Sequence, residues 1–217
     1  MSQFTTDHKL RLFDELIAYR TRYLTVVLED IYQSQNASAV IRTCDCLGIQ
    51  NVHVIENNNK FTVNPYVVLG SVKWINLIRH NQSDSNTIPA INKLRKNGYR
   101  IVATSSYRND TELHNFDLAN GKVALLFGTE LKGLSEDALA NADEFLRIGM
   151  YGFTESFNIS VSAGIILHHL IEKLHKSEIT WQLTKKEASE IKLNWLRNTV
   201  KKADALEKEF LKNFYSD

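Results

Sequence analysis

The chain contains 217 residues, of which 43% are hydrophobic and 24% are charged, and its formal net charge at pH 7 is +1. This length suits one domain with a well-buried core, and the near-neutral balance excludes a strongly basic protein that wraps nucleic acid, while leaving room for local basic patches. No apolar run approaches the roughly 20 residues of a membrane span, and residues 1–5 lack the start of a secretory signal. We therefore expect a cytoplasmic protein without a membrane segment.

The first half of the chain has the pattern of a parallel α/β sheet. Residues 24–29 form a β-branched, apolar run that predicts a buried strand, and residues 52–55 form a second one. Between them the pattern predicts a helix over residues 37–47, capped by Ser34 or Asn36. A strand, a helix and a strand joined by short connections are typical of parallel pairing.

The remaining elements complete one domain with helical extensions at both ends. Residues 6–22 predict an amphipathic helix with one basic flank, and residues 185–214 predict one long charged helix with an apolar stripe. Residues 56–75 are predicted to form a loop with short helical or strand pieces. The other predicted elements are helices at 88–97 and 156–174 and strands at 100–104, 122–127 and 145–148.

Neither the cysteines nor the histidines form a metal-binding pattern. Cys44 and Cys46 are two residues apart in a helical segment, where their side chains point to different faces, and both are interpreted as small buried hydrophobes. His168 and His169 are placed at the rim of a buried helix, and no H-E-x-x-H motif occurs. We therefore predict neither a disulfide nor a bound metal.

Two strand-to-loop transitions lie close together and predict a ligand site. The apolar run 123–127 ends at Gly128, and the strand-like residues 145–148 lead to Met150. Because parallel strands end at one edge of a sheet, a small molecule held between two such loops is the first hypothesis. The absence of a G-x-G motif argues against a dinucleotide or Rossmann-type methyl-donor site, and Leu134 in place of the P-loop lysine argues against an NTPase.

Three ordered segments resemble the motifs of the SpoU-type RNA 2′-O-ribose methyltransferases of the SPOUT superfamily. Residues 36–45 with Gly48 resemble the first motif, residues 126–134 the second, and residues 156–162 the third. The resemblance spans about residues 24–174, and three motifs in the family order are far more specific than any one of them.

The resemblance implies a fold, a cofactor and an assembly. The fold is an α/β knot, in which a mostly parallel sheet is flanked by helices and a C-terminal trefoil knot breaks the usual rule against knots. Residues 24–174 form the knotted catalytic core in this reading, between a helical extension at 1–23 and another at 175–217. S-Adenosylmethionine binds in the knot, and a homodimer places the active site at the subunit interface. Residues 70–74 and the two flanks are similar to the branch that methylates guanosine 18 in the tRNA D loop.

Motif positions in the family assign roles to individual residues. The resemblance implies that the methyl donor is held by Thr104, Gly128, Thr129, Glu130, Leu131, Ile148, Met150 and Phe157. It implies catalytic roles for Arg42, Asn36, Glu130, Ser156 and Asn158. RNA is expected to contact Arg11, Arg20, Arg22, Lys132, Arg197 and Lys201, with Lys9, Lys202 and Lys208 on the same flanks. The sequence departs from the family pattern at Gly149, where a proline is usual, and at Phe157, where a leucine is usual.

Arg42 is the candidate for placing the acceptor hydroxyl. Methyl transfer from a sulfonium requires a correctly placed oxygen and stabilisation of the charge that develops on it. Because a guanidinium stays protonated in proteins, our hypothesis is that Arg42 binds the phosphate next to the target ribose, and that the proton leaves to that phosphate or to water. We expect Asn36 and Arg42 to share one helical face directed at the donor, with Glu130 orienting Arg42 or an amide of the donor loop.

Structural roles are an alternative for most of these residues. Asn36 and Ser156 suit helix caps, Asn158 suits a loop backbone, Glu130 suits a surface carboxylate, and Lys132 suits a solvated surface. Three function classes stay open: a tRNA 2′-O-methyltransferase, which the basic flanks favour, an rRNA 2′-O-methyltransferase, and a catalytically silent RNA-binding protein of the same fold. The complete set of catalytic candidates argues against the third class.

Overall fold

A computed structural model of the protein describes residues 1–105 and 111–214. The chain forms two compact units. Thr21–Trp181 is an α/β unit, whereas Met1–Arg20 and the segment from Gln182 onward make up a helical unit. No helix in the described ranges has the length and apolar character needed to cross a membrane, and no group of three His, Cys, Asp or Glu residues in those ranges is placed to hold a metal ion.

The described residues place seven parallel strands in one sheet. The strands are β1 (Leu24–Glu29), β2 (Asn51–Ile55), β3 (Asn76–His80), β4 (Arg100–Thr104), β5 (Thr111–Glu112), β6 (Val123–Phe127) and β7 (Glu144–Arg147). Their order across the sheet is β3-β2-β1-β6-β4-β7-β5. β1 and β6 are neighbours in a register that pairs Leu28 with Phe127, and both strands are buried along their whole length. Burial on both faces explains why these two strands have nearly continuous apolar sequences.

Helices cover both faces of this sheet, which confirms the predicted α/β fold. Counted over both units, the helices of the described residues are α1 (Asp7–Ile17), α2 (Ser34–Cys46), α3 (Pro65–Val68), α4 (Thr87–Lys96), α5 (Glu136–Ala140), α6 (Ile159–His175), α7 (Lys185–Thr199) and α8 (Ala203–Phe214), of which α2 to α6 belong to the α/β unit that contains the sheet. Successive side chains of a strand point to opposite faces, so those of β1 enter two different core clusters. Val26 and Leu28 pack with residues of α2 and α6, whereas Val27 packs with residues of α4 and α5.

The structure confirms most predicted strands, but β3 and β5 were not predicted and smaller details differ. β1 and β4 have the predicted limits, and β6 begins one residue later than predicted. The sequence did not predict β3, because Asn76–His80 has only two apolar residues and most of its side chains are only partly buried. Cys44 is buried as predicted, but Cys46 is exposed near the end of α2.

The helical unit has a small aromatic core. Phe13 of α1 packs edge-on against Trp195 of α7, with 5.3 Å between the ring centroids. The guanidinium of Arg20 lies 5.1 Å from the Trp195 centroid, and an ion pair between Lys192 and Asp14 also joins α7 to α1. The apolar stripe of α7 is therefore covered by α1 within this unit.

The prediction of one long helix over residues 185–214 is wrong. The helix ends before Val200, which is extended, and Lys202 adopts a left-handed backbone with φ of +58° before α8 begins. The break brings Glu207 of α8 to Arg197 of α7, and the two side chains form a paired hydrogen bond. Neither a glycine nor a proline marks the break, so the sequence gives no local signal for it.

A buried histidine pair predicts acid sensitivity of the fold. His53 Nδ1 lies 2.9 Å from His80 Nε2, and the two side chains are 4% and 5% exposed. Burial, with smaller contributions from His80 and Lys93, lowers the pKa of His53 to about 3. The unfolded chain therefore binds a proton before the folded chain as the pH falls, and the free energy of unfolding decreases between about pH 6.5 and pH 3.

We expect the wild-type protein to lose about 2 kcal/mol between pH 7 and pH 5 from His53 alone. Urea unfolding of the wild type and of the His53→Leu variant at both pH values measures this loss. The variant keeps His80, whose pKa burial also lowers, and should show a smaller decrease. Equal decreases in the two proteins would contradict the assignment to His53.

Candidate active site

The chain leaves β6 through a tightly closed loop, here called the β6 loop (residues 128–133). Thr129 and Gly133 exchange two backbone hydrogen bonds of 2.9 Å, which close the base of the loop. A Cβ atom on Gly128 would lie 2.1 Å from the carbonyl carbon of Gly133, and Gly133 itself has φ of +68°. Only glycine is compatible with this close approach. The tip projects away from the core, since Leu131 is 98% exposed.

A second, longer loop follows β7 and is called the β7 loop (residues 148–158). It ends at Asn158, whose Oδ1 accepts the Ser160 backbone N–H at 2.9 Å and the Ser160 hydroxyl at 2.6 Å. Asn158 is therefore the N-cap of α6, which begins at Ile159. The predicted helix start at Ser156 is wrong, and Ser156 is an exposed residue of the loop.

The two loops border a cleft of about 390 Å³ at the carboxyl ends of the parallel strands, here called the loop cleft. All eight residues predicted to hold a methyl donor line it: Thr104, Gly128, Thr129, Glu130, Leu131, Ile148, Met150 and Phe157. The Thr104 hydroxyl donates to the Leu126 carbonyl at 2.7 Å, which fixes the end of β4 against β6. Lys132 and Ser156 also line the cleft.

Sequence reasoning missed other residues of the loop cleft. Ser105 follows the end of β4, and Glu155 precedes Ser156 in the β7 loop. Ile159, Ser162 and Ile166 line the cleft from α6. The spacing of these three residues at three and four positions puts them on one helical face, so this signal was present in the sequence.

Asn36 joins the segments of all three motifs. Its Nδ2 donates to Gln33 Oε1 at 3.0 Å and to the carboxylate of Glu130, and its Oδ1 accepts from Asn158 Nδ2 at 3.2 Å. The prediction that Ser34 or Asn36 caps α2 is wrong, because the N-cap position is Gln33, α2 begins at Ser34 and Asn36 lies in its first turn. Asn36 instead connects α2 to the β6 loop and to the N-terminus of α6. Gln33 is a member of this network that the sequence did not indicate.

Arg42 does not line the loop cleft. Six residues turn a helix by about 600°, so the side chains of Asn36 and Arg42 are about 120° apart around α2 and do not share one face as predicted. Arg42 is exposed and lines a second groove of about 450 Å³. The lining of this Arg42 groove consists of Ala39, Arg42, Thr43, Cys46, Leu47, Val67, Gly164 and His168.

The predicted RNA-binding cations differ in exposure. Arg11, Lys132, Lys201, Lys202 and Lys208 are exposed, whereas Lys9 and Arg22 are half-buried. The other two predicted residues contact side chains of the helical unit. Arg20 is 5% exposed beside Trp195, and Arg197 is engaged by both carboxylate oxygens of Glu207. Both arginines thus contribute to packing within the helical unit, and RNA contact by them stays a prediction.

Similar proteins were found by sequence and by structure. The profile of the SpoU rRNA methylase family matches residues 23–168. The chain is 47% identical over 207 residues to the tRNA (guanosine(18)-2′-O)-methyltransferase of Borreliella burgdorferi, with 95% of this chain and 93% of the relative covered. The crystal structure of the TrmH/SpoU tRNA modifying enzyme of Aquifex aeolicus is similar with a TM-score of 0.78 and 27% identity, covering 90% of this chain and 98% of that chain. The AdoMet-bound rRNA methyltransferase of Sinorhizobium meliloti is similar with a TM-score of 0.61 and 26% identity, covering 75% of this chain and 60% of that chain.

Proposed function

The chain belongs to the SpoU rRNA methylase family, and from that premise we propose that it is an S-adenosylmethionine-dependent RNA 2′-O-ribose methyltransferase that modifies guanosine 18 of tRNA. The observation that carries the proposal is the loop cleft, around which the fold gathers segments of the second and third motifs. Asn36 of the first motif is hydrogen-bonded to both of these motifs beside the cleft.

The residues of the loop cleft fit the proposed methyl donor. A volume of about 390 Å³ lies within the range of small-molecule sites. Ile148, Met150 and Phe157 offer apolar walls, while Glu130 and Glu155 offer carboxylates. S-Adenosylmethionine would supply a methyl group bonded to a positively charged sulfur, and negative side chains at the cleft favour a cation. The similar protein from Sinorhizobium meliloti was crystallised with this donor bound.

The protein side chains would position the acceptor rather than form a covalent intermediate. Arg42 carries a guanidinium whose planar fork suits a phosphate, and it stays protonated, so it would hold the phosphate beside the target ribose and orient the 2′-hydroxyl. The hydroxyl proton would leave to that phosphate or to water. Asn36, Glu130 and Asn158 hold one another through hydrogen bonds and would keep the β6 loop and α6 in a fixed relation.

We further propose a homodimer in which a second copy covers the Arg42 groove, so that the Arg42 of one protomer serves the loop cleft of its partner. Arg42 lines a groove on α2 that shares no lining residue with the loop cleft. Apolar side chains are exposed on the elements that border the groove: Tyr66 is 90% exposed, Leu69 64%, Val161 46% and Ile165 38%. Apolar surface of this kind is typical of oligomer interfaces.

The proposal that the substrate is tRNA rests on similarity to the Borreliella burgdorferi enzyme and on the exposed cations of the helical unit. That relative is 47% identical over nearly the whole chain, including both extensions. The exposed cations Arg11, Lys201, Lys202 and Lys208 give the helical unit a surface for phosphates. We propose that residues 24–174 form a knotted catalytic core and that both extensions contact the tRNA beyond its target nucleotide.

Methyl transfer to defined RNAs tests the proposed function. The full chain is incubated with S-adenosylmethionine carrying a labelled methyl group and with either a tRNA transcript or rRNA, and ribose methylation is mapped to the nucleotide. We expect label at guanosine 18 and none on a matched tRNA that has 2′-deoxyguanosine at that position. Label confined to rRNA would replace the tRNA proposal by an rRNA methyltransferase. Donor binding without label on either RNA would leave a catalytically silent RNA-binding protein.

A further inference from the structure

We propose that Glu29 is a positioning residue for the β6 loop, whose exit it holds through Ser135. The inference rests on the proposed function, in which this loop holds the methyl donor. Glu29 is the last residue of β1, and its side chain is only 2% exposed. A carboxylate this deeply buried requires hydrogen-bond donors to offset its lost hydration.

Three donors surround the Glu29 carboxylate. Ser135 donates its backbone N–H to Oε2 at 2.9 Å and its hydroxyl to Oε1 at 2.7 Å, and Thr87 donates its hydroxyl to Oε1 at 2.5 Å. Each hydroxyl accepts a further hydrogen bond, Ser135 from the Ala138 N–H and Thr87 from the Asn57 amide. The proton of each hydroxyl is thus directed to Glu29, which acts only as an acceptor.

Glu29 lies between the entry and the exit of the β6 loop. Leu28 pairs with Phe127, so one further step of the register puts Glu29 beside Gly128, where the loop begins. Its side chain reaches Ser135, two residues after the loop ends, and the intervening Leu134 is 7% exposed in the core. The start of the β6 loop at Gly128 and the nearby Ser135 that follows the loop are therefore both held by the carboxyl end of β1. The positions of Glu130 and Leu131 at the loop cleft depend on this tie.

The carboxylate cannot be replaced by an amide of the same shape. In the Glu29→Gln variant, the amide NH₂ either faces the Ser135 N–H, which is a donor, or faces the two hydroxyls, whose protons must then turn away from it and lose their acceptor. Two donors without an acceptor in a buried site are unfavourable, so the exit of the loop should loosen without a steric clash.

Calorimetry with S-adenosylmethionine on the full chain tests the proposal. We expect a Kd about tenfold higher in Glu29→Gln and in Ser135→Ala, and near-normal affinity in Ser135→Thr, which keeps the hydroxyl. The matched control is Thr87→Val, which removes a donor to the same carboxylate but from α4, outside the loop. Its Kd should stay within about twofold of the wild type although its Tm falls. An equal loss of affinity in Thr87→Val would reduce Glu29 to a general stabilising residue and overturn the inference.

Hydrogen exchange in the absence of any cofactor provides a second readout. The amides of Thr129 and Gly133 close the base of the loop, so their exchange should accelerate about tenfold in Glu29→Gln but not in Thr87→Val. Unchanged protection of these two amides in Glu29→Gln overturns the proposal. If the wild type fails to bind the donor while the amides respond as expected, the proposed function fails and the structural tie through Glu29 stands.

Discussion

The Arg42→Ala variant should lose about 10²-fold or more in kcat for ribose methylation while its affinity for S-adenosylmethionine stays unchanged. The reason is the separation found in the structure, where Arg42 lines its own groove and not the loop cleft. Arg42→Lys keeps the positive charge but loses the planar fork, so we expect it to remain at least about tenfold below the wild type. Single-turnover rates and donor calorimetry on the same preparations measure the two effects separately.

A matched control for this prediction is Arg11→Ala, which removes an exposed arginine of the helical unit. This variant should raise the KM for tRNA and change kcat by less than about threefold, because a remote phosphate contact adds to binding rather than to placement of the hydroxyl. Near-normal kcat in Arg42→Lys, or weakened donor binding in Arg42→Ala, would contradict the role assigned to Arg42.

Mixed dimers decide whether Arg42 acts within its own protomer or on its partner. Arg42→Ala protomers keep an intact loop cleft, whereas Gly128→Ala protomers keep an intact Arg42. The two variants are re-paired at random and assayed at a donor concentration too low to fill the Gly128→Ala cleft. About a quarter of the wild-type activity should return if Arg42 serves the partner, since about half of the dimers are mixed and each has one complete site. Action of Arg42 within its own protomer leaves the mixture inactive.

The parts of the fold that the sequence predicted are those governed by local patterns. β1 and β6 are buried on both faces, so their apolar runs are visible without any knowledge of their neighbours. β3 escaped prediction because it pairs with only one strand in the described sheet and needs few apolar residues. The turn between α7 and α8 depends on the left-handed backbone of Lys202. Glycine is the usual sequence signal for that conformation, and none is present there.

Part of the lining of the loop cleft could be predicted from the motifs, but the direction of Arg42 could not. All eight residues that the motifs assign to the donor line the loop cleft, since the loops that carry them lie at strand ends that meet at one edge of the sheet. The direction of Arg42 depends on how α2 is rotated about its axis. Contacts of Asn36 with Glu130 and Asn158 help to fix that rotation, and these residues are distant in sequence. A periodicity argument therefore could not assign Arg42 to a cleft.

Gly128→Ala should disrupt the β6 loop strongly. The added Cβ would meet the backbone of Gly133 at 2.1 Å and that of Leu134 at 2.3 Å, and backbone atoms held in a closed pair cannot move aside as a flexible side chain can. We expect a loss of about 1–3 kcal/mol in the free energy of unfolding, or more. The affinity for S-adenosylmethionine should fall by at least about tenfold, because the loop that lines the cleft must open.

The Gly98→Ala variant is the control that distinguishes general destabilisation from disruption of the β6 loop. Gly98 has φ of +80° and nothing within 4 Å of an added Cβ, so alanine there is strained without any clash and costs about 1 kcal/mol. Its donor affinity should equal that of the wild type at a temperature where both variants are folded by circular dichroism. Normal donor affinity in a folded Gly128→Ala protein would show that the closed geometry of the β6 loop does not hold the donor. Lost affinity in Gly98→Ala would show that calorimetry reports general destabilisation instead.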